Sequence, residues 1–323
     1  MENEIQQARP SRLTVLPSGD PGTAFHYLTS DEILSRFGPP GSLLSTSAKV
    51  EKCLSVGVYL RVLFLTPGIF CPQATSGCLR ACLGHSSGRM HMPTHAVARD
   101  RRAAQYLENP ALFMARLTLE LAEHCQEATR RNLLPAIRLN ASSDLPWEEV
   151  HPEIFAQFPQ VQFFDYTKVS SRMEHFVRRR SAAGPWPKNY YLTFSATPEN
   201  QNLAQSFLAQ GRNVTTVFWP ELPLTYWGLP VIDGDAHDAR FLDPQGVIVG
   251  LRAKGSAQAD LTGFTVRTCP ACQDQPSTLR LVYAVQAKRR TLLHRCPRCG
   301  FENHVSRQLP RLITPCRSTS TLQ

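Results

Sequence analysis

Residues 59–89 read YLRVLFLTPGIFCPQATSGCLRACLGHSSGR, and the reading of this stretch decides the fold. The apolar run 59–65 mixes β-branched and aromatic residues and predicts a buried strand. Thr66-Pro67-Gly68 ends it, and the next loop carries Cys71, Cys78 and Cys82 within twelve positions. Gly84, Ser86, Ser87 and Gly88 keep the following turn flexible before a helix starts near Pro93. Soft thiolates select zinc or iron–sulfur over hard cations. Three of them after a first strand suit a four-iron (4Fe-4S) cluster at the mouth of a barrel, with one iron left free. The competing reading is a closed Cys3His zinc knuckle completed by His85 or His91. Three free structural thiols are the plainest reading, although free thiols on a Gly/Ser-rich loop are a liability.

Downstream, strands and helices alternate. Residues 93–107 predict a helix bearing Arg99, Arg101 and Arg102, and Asn109-Pro110 restarts the chain as an N-cap followed by proline. Phe113, Leu117, Leu121 and Cys125 recur at four-residue intervals, which places Cys125 in the core. Strands are expected at 136–140, 161–167, 190–195, 214–219 and 246–251, with helices over 171–180 and 199–210 and an amphipathic helix or turn-rich stretch over 147–158. With the first strand, these make six short, apolar β units, most followed by helices. Such units predict a parallel sheet with helices outside. The fold class expected is α/β, a partial (βα)6 TIM-like barrel over residues 46–264 with a C-terminal zinc ribbon over 265–311. An open doubly wound sheet is the alternative. Residues 1–45, rich in Pro, Gly and Ser with one helical candidate at 30–37, read as an irregular lead-in, and 312–323 as a disordered tail.

The chain of 323 residues is 42% hydrophobic and 19% charged, the balance of a soluble globular protein. No apolar run approaches a membrane span of about 20 residues. The opening MENEIQQARPSRL lacks the layout of a secretory signal, so a cytoplasmic protein is expected. The ten cysteines are clustered, which in a reducing compartment argues for metal sites over disulfides. The net charge of +9 is concentrated, because between residues 265 and 311 nine Lys or Arg face only Asp274 and Glu302. A basic appendage beside a near-neutral body is an electrostatic handle for a polyanion, and nucleic acid is the partner expected. The sequence contains no P-loop, dinucleotide glycine fingerprint, HExxH or nucleophile elbow.

In α/β folds chemistry collects where strands end. Here the second strand runs into Asn140-Ala141-Ser142-Ser143-Asp144, the third into Asp165-Tyr166-Thr167-Lys168 and the fourth into Thr193-Phe194-Ser195. Asp233-Gly234-Asp235 and Asp238 precede the last strand, and Lys254 follows it. Asp165 stands beside aromatics inside a strand, where a carboxylate needs a partner such as Arg138 or Lys168. A buried acid is an active-site candidate. Simpler readings make residues 140–144 a helix cap and Asp233-Gly234-Asp235 a tight turn.

Cys269-Pro-Ala-Cys272 and Cys296-Pro-Arg-Cys299-Gly300 form C-x2-C…C-x2-C, a zinc-ribbon pattern in which two knuckles complete a tetrahedral S4 site. Residues 278–286 and 291–295 between them predict a hairpin whose turn carries Lys288, Arg289 and Arg290. So small a module has little core, so the metal supplies much of its folding energy. A second iron–sulfur cluster is the alternative occupant. Tyr283 and Phe301 offer faces for base stacking or for core packing.

With the cysteine loop, RLNASSD (138–144), FFDYTK (163–168) and VIDGDAHDARFLDPQGVIVGLRAKG (231–255) in place, the chain resembles a phage and plasmid protein family of the mycobacteriophage "gene product 88" type. The resemblance covers residues 43–263, with the ribbon as an addition. Those proteins look like distant relatives of radical SAM enzymes, which carry three cysteines after the first strand of a partial barrel. The resemblance implies that Cys71, Cys78 and Cys82 hold the 4Fe-4S cluster and that its open iron chelates S-adenosylmethionine. On that expectation Asn140, Ser142, Ser143 and Asp144 position the cofactor. Asp165, Lys168 and Asp235 then face the substrate as catalytic residues, and a nucleic acid or nucleotide is the substrate. The spacing departs from the usual C-x3-C-x2-C, being C-x6-C-x3-C with Ala81 where an aromatic often stands. The alternative function is a non-catalytic zinc protein that binds DNA or RNA, its barrel serving as scaffold.

Overall fold

The structure is a computed structural model that describes residues 13–15, 26–28, 35, 41–86, 88–269, 272, 280–286 and 289–304. Most of the lead-in with its helical candidate, the side chain of His85, Lys288 and the tail lie outside the described residues. The main sheet contains β1 (Leu44–Ser45), β2 (Val58–Leu63), β3 (Leu134–Arg138), β4 (Gln162–Thr167), β5 (Tyr190–Ser195), β6 (Val214–Trp219), β7 (Thr225–Tyr226), β8 (Leu229–Asp233), β9 (Ile248–Arg252) and β10 (Thr265–Arg267). All six strands expected from the sequence are present, within two residues or so of their predicted bounds. They lie in chain order, β2-β3-β4-β5-β6-β9, and every adjacent pair is parallel.

Side-chain alternation gives this sheet two different faces. Leu63, Ile137, Phe163, Leu192 and Phe194 point to one face, where they meet Ala103 and Ala104 of α2 (Pro93–Glu108) and Phe113, Leu117 and Leu121 of α3 (Pro110–Arg130). The same core takes Met173 and Phe176 of α4 (Ser170–Arg178) and Ala204 and Phe207 of α5 (Gln201–Ala209). Val58, Leu60, Val62, Ala136 and Phe164 point the other way, toward Val50, Cys53 and Ala239. Thus α2–α5 all pack on one face. The connection from β8 to β9 crosses the other, where Asp238 accepts from Arg138 at 3.1 Å and donates its amide to the Cys53 sulfur at 3.3 Å.

The expected fold class holds in its coarser form, an α/β structure on a mostly parallel sheet. No closed barrel forms: β1 finishes one edge antiparallel to β2, and β7 finishes the other antiparallel to β8. Edges finished in this way have no free parallel partner with which to close. The doubly wound alternative is not matched either: strand order turns back at β9, with the parallel β8 beyond it, but α2–α5 all pack on one face instead of two. The molecule is a mixed α/β structure built on one large, mostly parallel sheet.

Local sequence explains most boundaries. Asn109 caps α3, its Oδ1 accepting from the Leu112 amide at 2.9 Å, and Cys125 packs half-buried at the core's margin. Of the two readings of 147–158, a helix or a turn-rich stretch, the second is nearer: the segment forms two short turns, Trp147–Val150 and Glu153–Gln157. Pro152 separates them, since it has no amide hydrogen to continue the first. β7, β8 and β10 fall in segments the sequence leaves as loop or assigns to the ribbon. Among the described residues no helix is long and apolar enough to cross a membrane.

Candidate functional site

The loop after β2 lies across the carboxyl edge of the sheet. Thr75 caps the short helix α1 (Ser76–Arg80), its hydroxyl accepting from the Cys78 amide at 3.1 Å, which fixes Cys78 in the first turn. The Cys71 amide donates to the Gly68 carbonyl at 3.4 Å and the Cys82 amide to that of Leu79 at 3.3 Å. The loop is then strapped at both ends. The Ser142 hydroxyl, beyond β3, donates to the Leu65 carbonyl at 2.6 Å; the Ser256 hydroxyl, beyond β9, donates to that of Arg80 at 2.6 Å. Ala81 packs on Ala253 and Ala257, and Gly77 lies so close to Thr262 that a side chain there has no room.

These contacts gather Cys71, Cys78, Cys82, Asp144 and Lys168. Burial pushes the Cys71 thiol up to about 12, with Asp144 and Cys82 adding to the shift and Lys168 opposing it. Burial likewise raises Cys82, helped by Cys78 and opposed by Lys168 and Arg99. The Lys168 ammonium donates to the Ser195 hydroxyl at 3.0 Å and lies 5.7 Å from the centre of the Phe264 ring. All three cysteines are free of disulfides.

Zinc–sulfur bonds of about 2.3 Å in a tetrahedron put thiolates about 3.8 Å apart. Among the described residues only Cys269, Cys272, Cys296 and Cys299 gather their ligand atoms closely enough to hold a single ion, all within 4.8 Å. Their Sγ atoms pair at 3.6 Å (Cys269 and Cys299) and 3.8 Å (Cys272 and Cys296). The second knuckle is closed by the Gly300 amide on the Cys296 carbonyl at 3.1 Å, with Gly300 at φ 74°. This group could bind a metal ion. Around it stand the antiparallel strands β11 (Arg280–Gln286), β12 (Arg289–Arg295) and β13 (Glu302–His304), as the hairpin expectation requires.

The residues that end β3 and β4 form a buried polar network. The Asn140 amide nitrogens donate to Asp165, from the backbone at 2.6 Å and from the side chain at 3.2 Å. The Asn140 side-chain oxygen accepts from Ser143, from the Leu145 amide and from the Trp147 indole. Asp165 is fully buried on the helix-bearing side and also accepts from the Tyr190 hydroxyl at 2.8 Å. Burial raises its pKa to about 7 against the pull of the Asn140 amide, Arg138 and Tyr190. Asn140 and Tyr190, not Lys168, are therefore its direct partners. Asp144 accepts from the Lys168 amide at 2.9 Å and from Arg172 at 2.5 Å, and its own amide donates to the Phe70 carbonyl at 2.7 Å.

Asp235 lies elsewhere on this edge. It accepts from Lys254 at 2.7 Å and from the Arg252 amide at 2.9 Å, while Asp233 pairs with Arg252 at 2.9 Å. The Asp235 amide donates to the Asp233 carboxylate at 2.8 Å, so the tight-turn reading of this stretch describes its backbone. Gly234 is required there, because a Cβ would stand 2.9 Å from the Gly250 carbonyl of β9.

Sequence reasoning missed two features. Arg172, fully buried, donates to Glu148 through two nitrogens at 2.8 and 2.7 Å and to Tyr190 at 2.9 Å, besides Asp144. Its spacing to Met173 and Phe176 on one face of α4 was the available signal. The second is a cavity of about 300 Å3 walled by Tyr226, Trp227 and Phe264. Its only trace in the sequence is an aromatic pair before Gly228.

These observations define a class: an α/β sheet protein with a three-cysteine loop strapped over its carboxyl edge and a four-cysteine group able to take a metal ion. A family model described as "Gene product 88" matches residues 42–275, and the chain belongs to the Gene product 88 family. No curated protein and no solved structure matches it.

Proposed function

We propose that the chain is an iron–sulfur enzyme of radical-SAM-like type, built on a partial (βα)6 barrel, with Cys71, Cys78 and Cys82 as cluster ligands and the ribbon's four cysteines as a structural zinc site. The observation that carries the reading is that three cysteines outside any disulfide lie on one loop, two of them within electrostatic reach of Lys168, at the edge where parallel sheets place chemistry. The donor set fits. Buried thiols raised as far as Cys71 make poor thiolates on their own, and a bound cationic centre reverses that preference.

When bound, a four-iron cluster with one iron free supplies an electron and a coordination site for S-adenosylmethionine. The chain's own residues orient and enclose. Lys168 offsets the thiolates' charge, while Asp144 holds the Lys168 backbone and the Phe70 carbonyl in register. Ser142 ties β3 to the end of β2, and Asn140 and Ser143 shape the rim on which the cofactor would rest. Asp165 sets that rim from beneath, and Asp235 steers Lys254 at the far side of the mouth. The basic ribbon favours a nucleic acid or nucleotide as substrate.

The test is metal and sulfide analysis of anaerobically purified protein. The expected result is brown protein with about four irons, equal sulfide and about one zinc per chain. Replacing Cys71, Cys78 and Cys82 together by Ala should abolish iron and sulfide while zinc and the folded far-UV spectrum persist. Colourless protein holding zinc alone would refute the reading and favour a non-catalytic zinc protein that binds nucleic acid. The ribbon's sulfur spacing and charge support that second reading independently of the loop.

A further inference from the structure

The cavity of about 300 Å3 exists because two strands part. β5 pairs with β6 only through Val214 and Thr215, and from Val217 onward β10 takes the place of β5. Thr216 stands at the changeover and lines the space. The Tyr226 and Trp227 rings, stacked at 4.5 Å, and the Phe264 ring give it flat walls.

Two residues that line the same cavity, Thr216 (4% exposed) and Arg267 (9% exposed), each carry a buried donor, the Thr216 hydroxyl and the Arg267 Nε, with no hydrogen-bond partner among the described residues. The other end of the Arg267 guanidinium is spent on the Gln258 and Asp260 carbonyls. The nearby Asp260 carboxylate is occupied as well, by Thr262 and by the Thr265 amide. The cavity therefore presents unmet donors and π faces but no free anion, a pattern that selects against cationic ligands. An unmet buried donor is costly, and an acceptor brought by a ligand would remove the penalty. At this volume a ring with a sugar fits and an oligonucleotide does not.

We propose that this cavity binds a nucleobase, stacked on the aromatic walls and read through its ring or exocyclic acceptors by Thr216 and Arg267. Base–aromatic stacking and donor-to-acceptor reading of base edges are the interactions that recognise this ligand class. Phe264 is shared: it walls the cavity, and its ring also faces Lys168 beside the cysteine loop. Phe264 and then Lys168 thus stand between a base in the cavity and the cysteine loop. The proposal deepens the nucleotide-substrate reading and rests on it for any chemistry done on the bound base, whereas binding itself needs no cluster.

The experiment titrates the full-length protein with guanosine, adenosine, cytidine and uridine in turn, with ribose as control, following tryptophan fluorescence and Tm. Saturable quenching by at least one nucleoside and none by ribose is expected. Thr216→Val should weaken that binding roughly three- to tenfold, the worth of one hydrogen bond. It should also raise the Tm of the ligand-free protein, because an unmet hydroxyl is removed; a merely structural hydroxyl would not give these opposite signs. Should Thr216→Val fold poorly, Trp227→Leu carries the same binding test, read by Tm shift. No saturation by any of the four nucleosides up to about 1 mM, a free energy near −4 kcal/mol, overturns the proposal, as does binding that neither substitution weakens. Repeating the titration on the Cys71/Cys78/Cys82→Ala variant separates the two readings: binding retained without iron sustains the cavity even if the cluster fails.

Discussion

Replacing Arg172 by Met tests whether the polar network beneath the cysteine loop is held by one buried cation. The Arg172 side chain is 3% exposed and bridges Glu148, 0% exposed, and Asp144, 9% exposed, while a fourth hydrogen bond goes to Tyr190. Burial alone would pull the guanidinium down, but Glu148, Tyr190 and Asp144 hold it well above the usual arginine range. Met nearly fills the volume, so little of the loss comes from packing. What remains is two carboxylates, taken out of water and no longer compensated, and breaking such a pair costs about 3–5 kcal/mol. For a chain of this size that is a fall in Tm of roughly 6–20 °C. Urea denaturation at neutral pH should read this loss directly, and adding Glu148→Gln to the Met variant should recover part of it by removing one stranded charge. A deficit under about 1 kcal/mol, the worth of an exposed pair, or no recovery in the double variant would refute the reasoning.

Asp165 supplies a pH test. Its folded value near 7 lies above the ordinary 3.8, so its contribution to stability is complete below about pH 4 and lost as pH rises through 7, an effect of about 4 kcal/mol at most. Asp165→Asn should flatten this slope, so that the variant gains on the parent between pH 4 and pH 8; parallel stability profiles would rule the coupling out. Gly84→Ala places a Cβ 2.5 Å from the Pro67 ring and 3.4 Å from the Cys82 sulfur. Overpacking of this kind costs about 1–3 kcal/mol and should displace Cys82, lowering both Tm and iron per chain. An unchanged iron content would show that the loop tolerates the shift.

The six parallel strands were legible because each is a short apolar run bounded by turn residues, and their pairing simply keeps chain order. The openness of the sheet was not. Hydrophobic periodicity tells that α3 buries Phe113, Leu117 and Leu121, but not which face of the sheet receives them. Closure is decided at the edges, by β1 and by β7 and β8, which have two, two and five residues, with Pro230 inside β8. Elements so short are fixed by register against β2 and β9 and leave little trace in composition. At the site, the metal-type cysteines were legible from spacing alone. The role of Asn140 was ambiguous, because a side chain that caps a loop and one that faces a ligand look the same in sequence; here its atoms meet Asp165, Ser143, Leu145 and Trp147. Arg172 was hidden in a basic helix whose other arginines, Arg178 among them, are exposed.

The distribution of layers leaves the carboxyl edge covered differently from the two faces. The helices cover one face of the sheet. On the other, the β8–β9 connection brings Asp238 to Arg138 and Tyr166, and Phe241 to Phe164. A face filled by a buried ion pair and aromatic contacts resists opening, since exposing it would strand Asp238 or Arg138 without a partner. The carboxyl edge is held differently, by a loop from β2 tied to the segment after β9 through Ser256, Ala81 and Gly77. These are one hydrogen bond and contacts of small side chains, less apolar packing than the faces of the sheet have, and segments held with little apolar packing are the first to open. The same segment, 255–264, carries Thr262 and Phe264 onward into the cavity wall. Movement of that strap therefore changes the cysteine loop and the cavity together, a coupling that a site needing both a cofactor and a substrate would exploit.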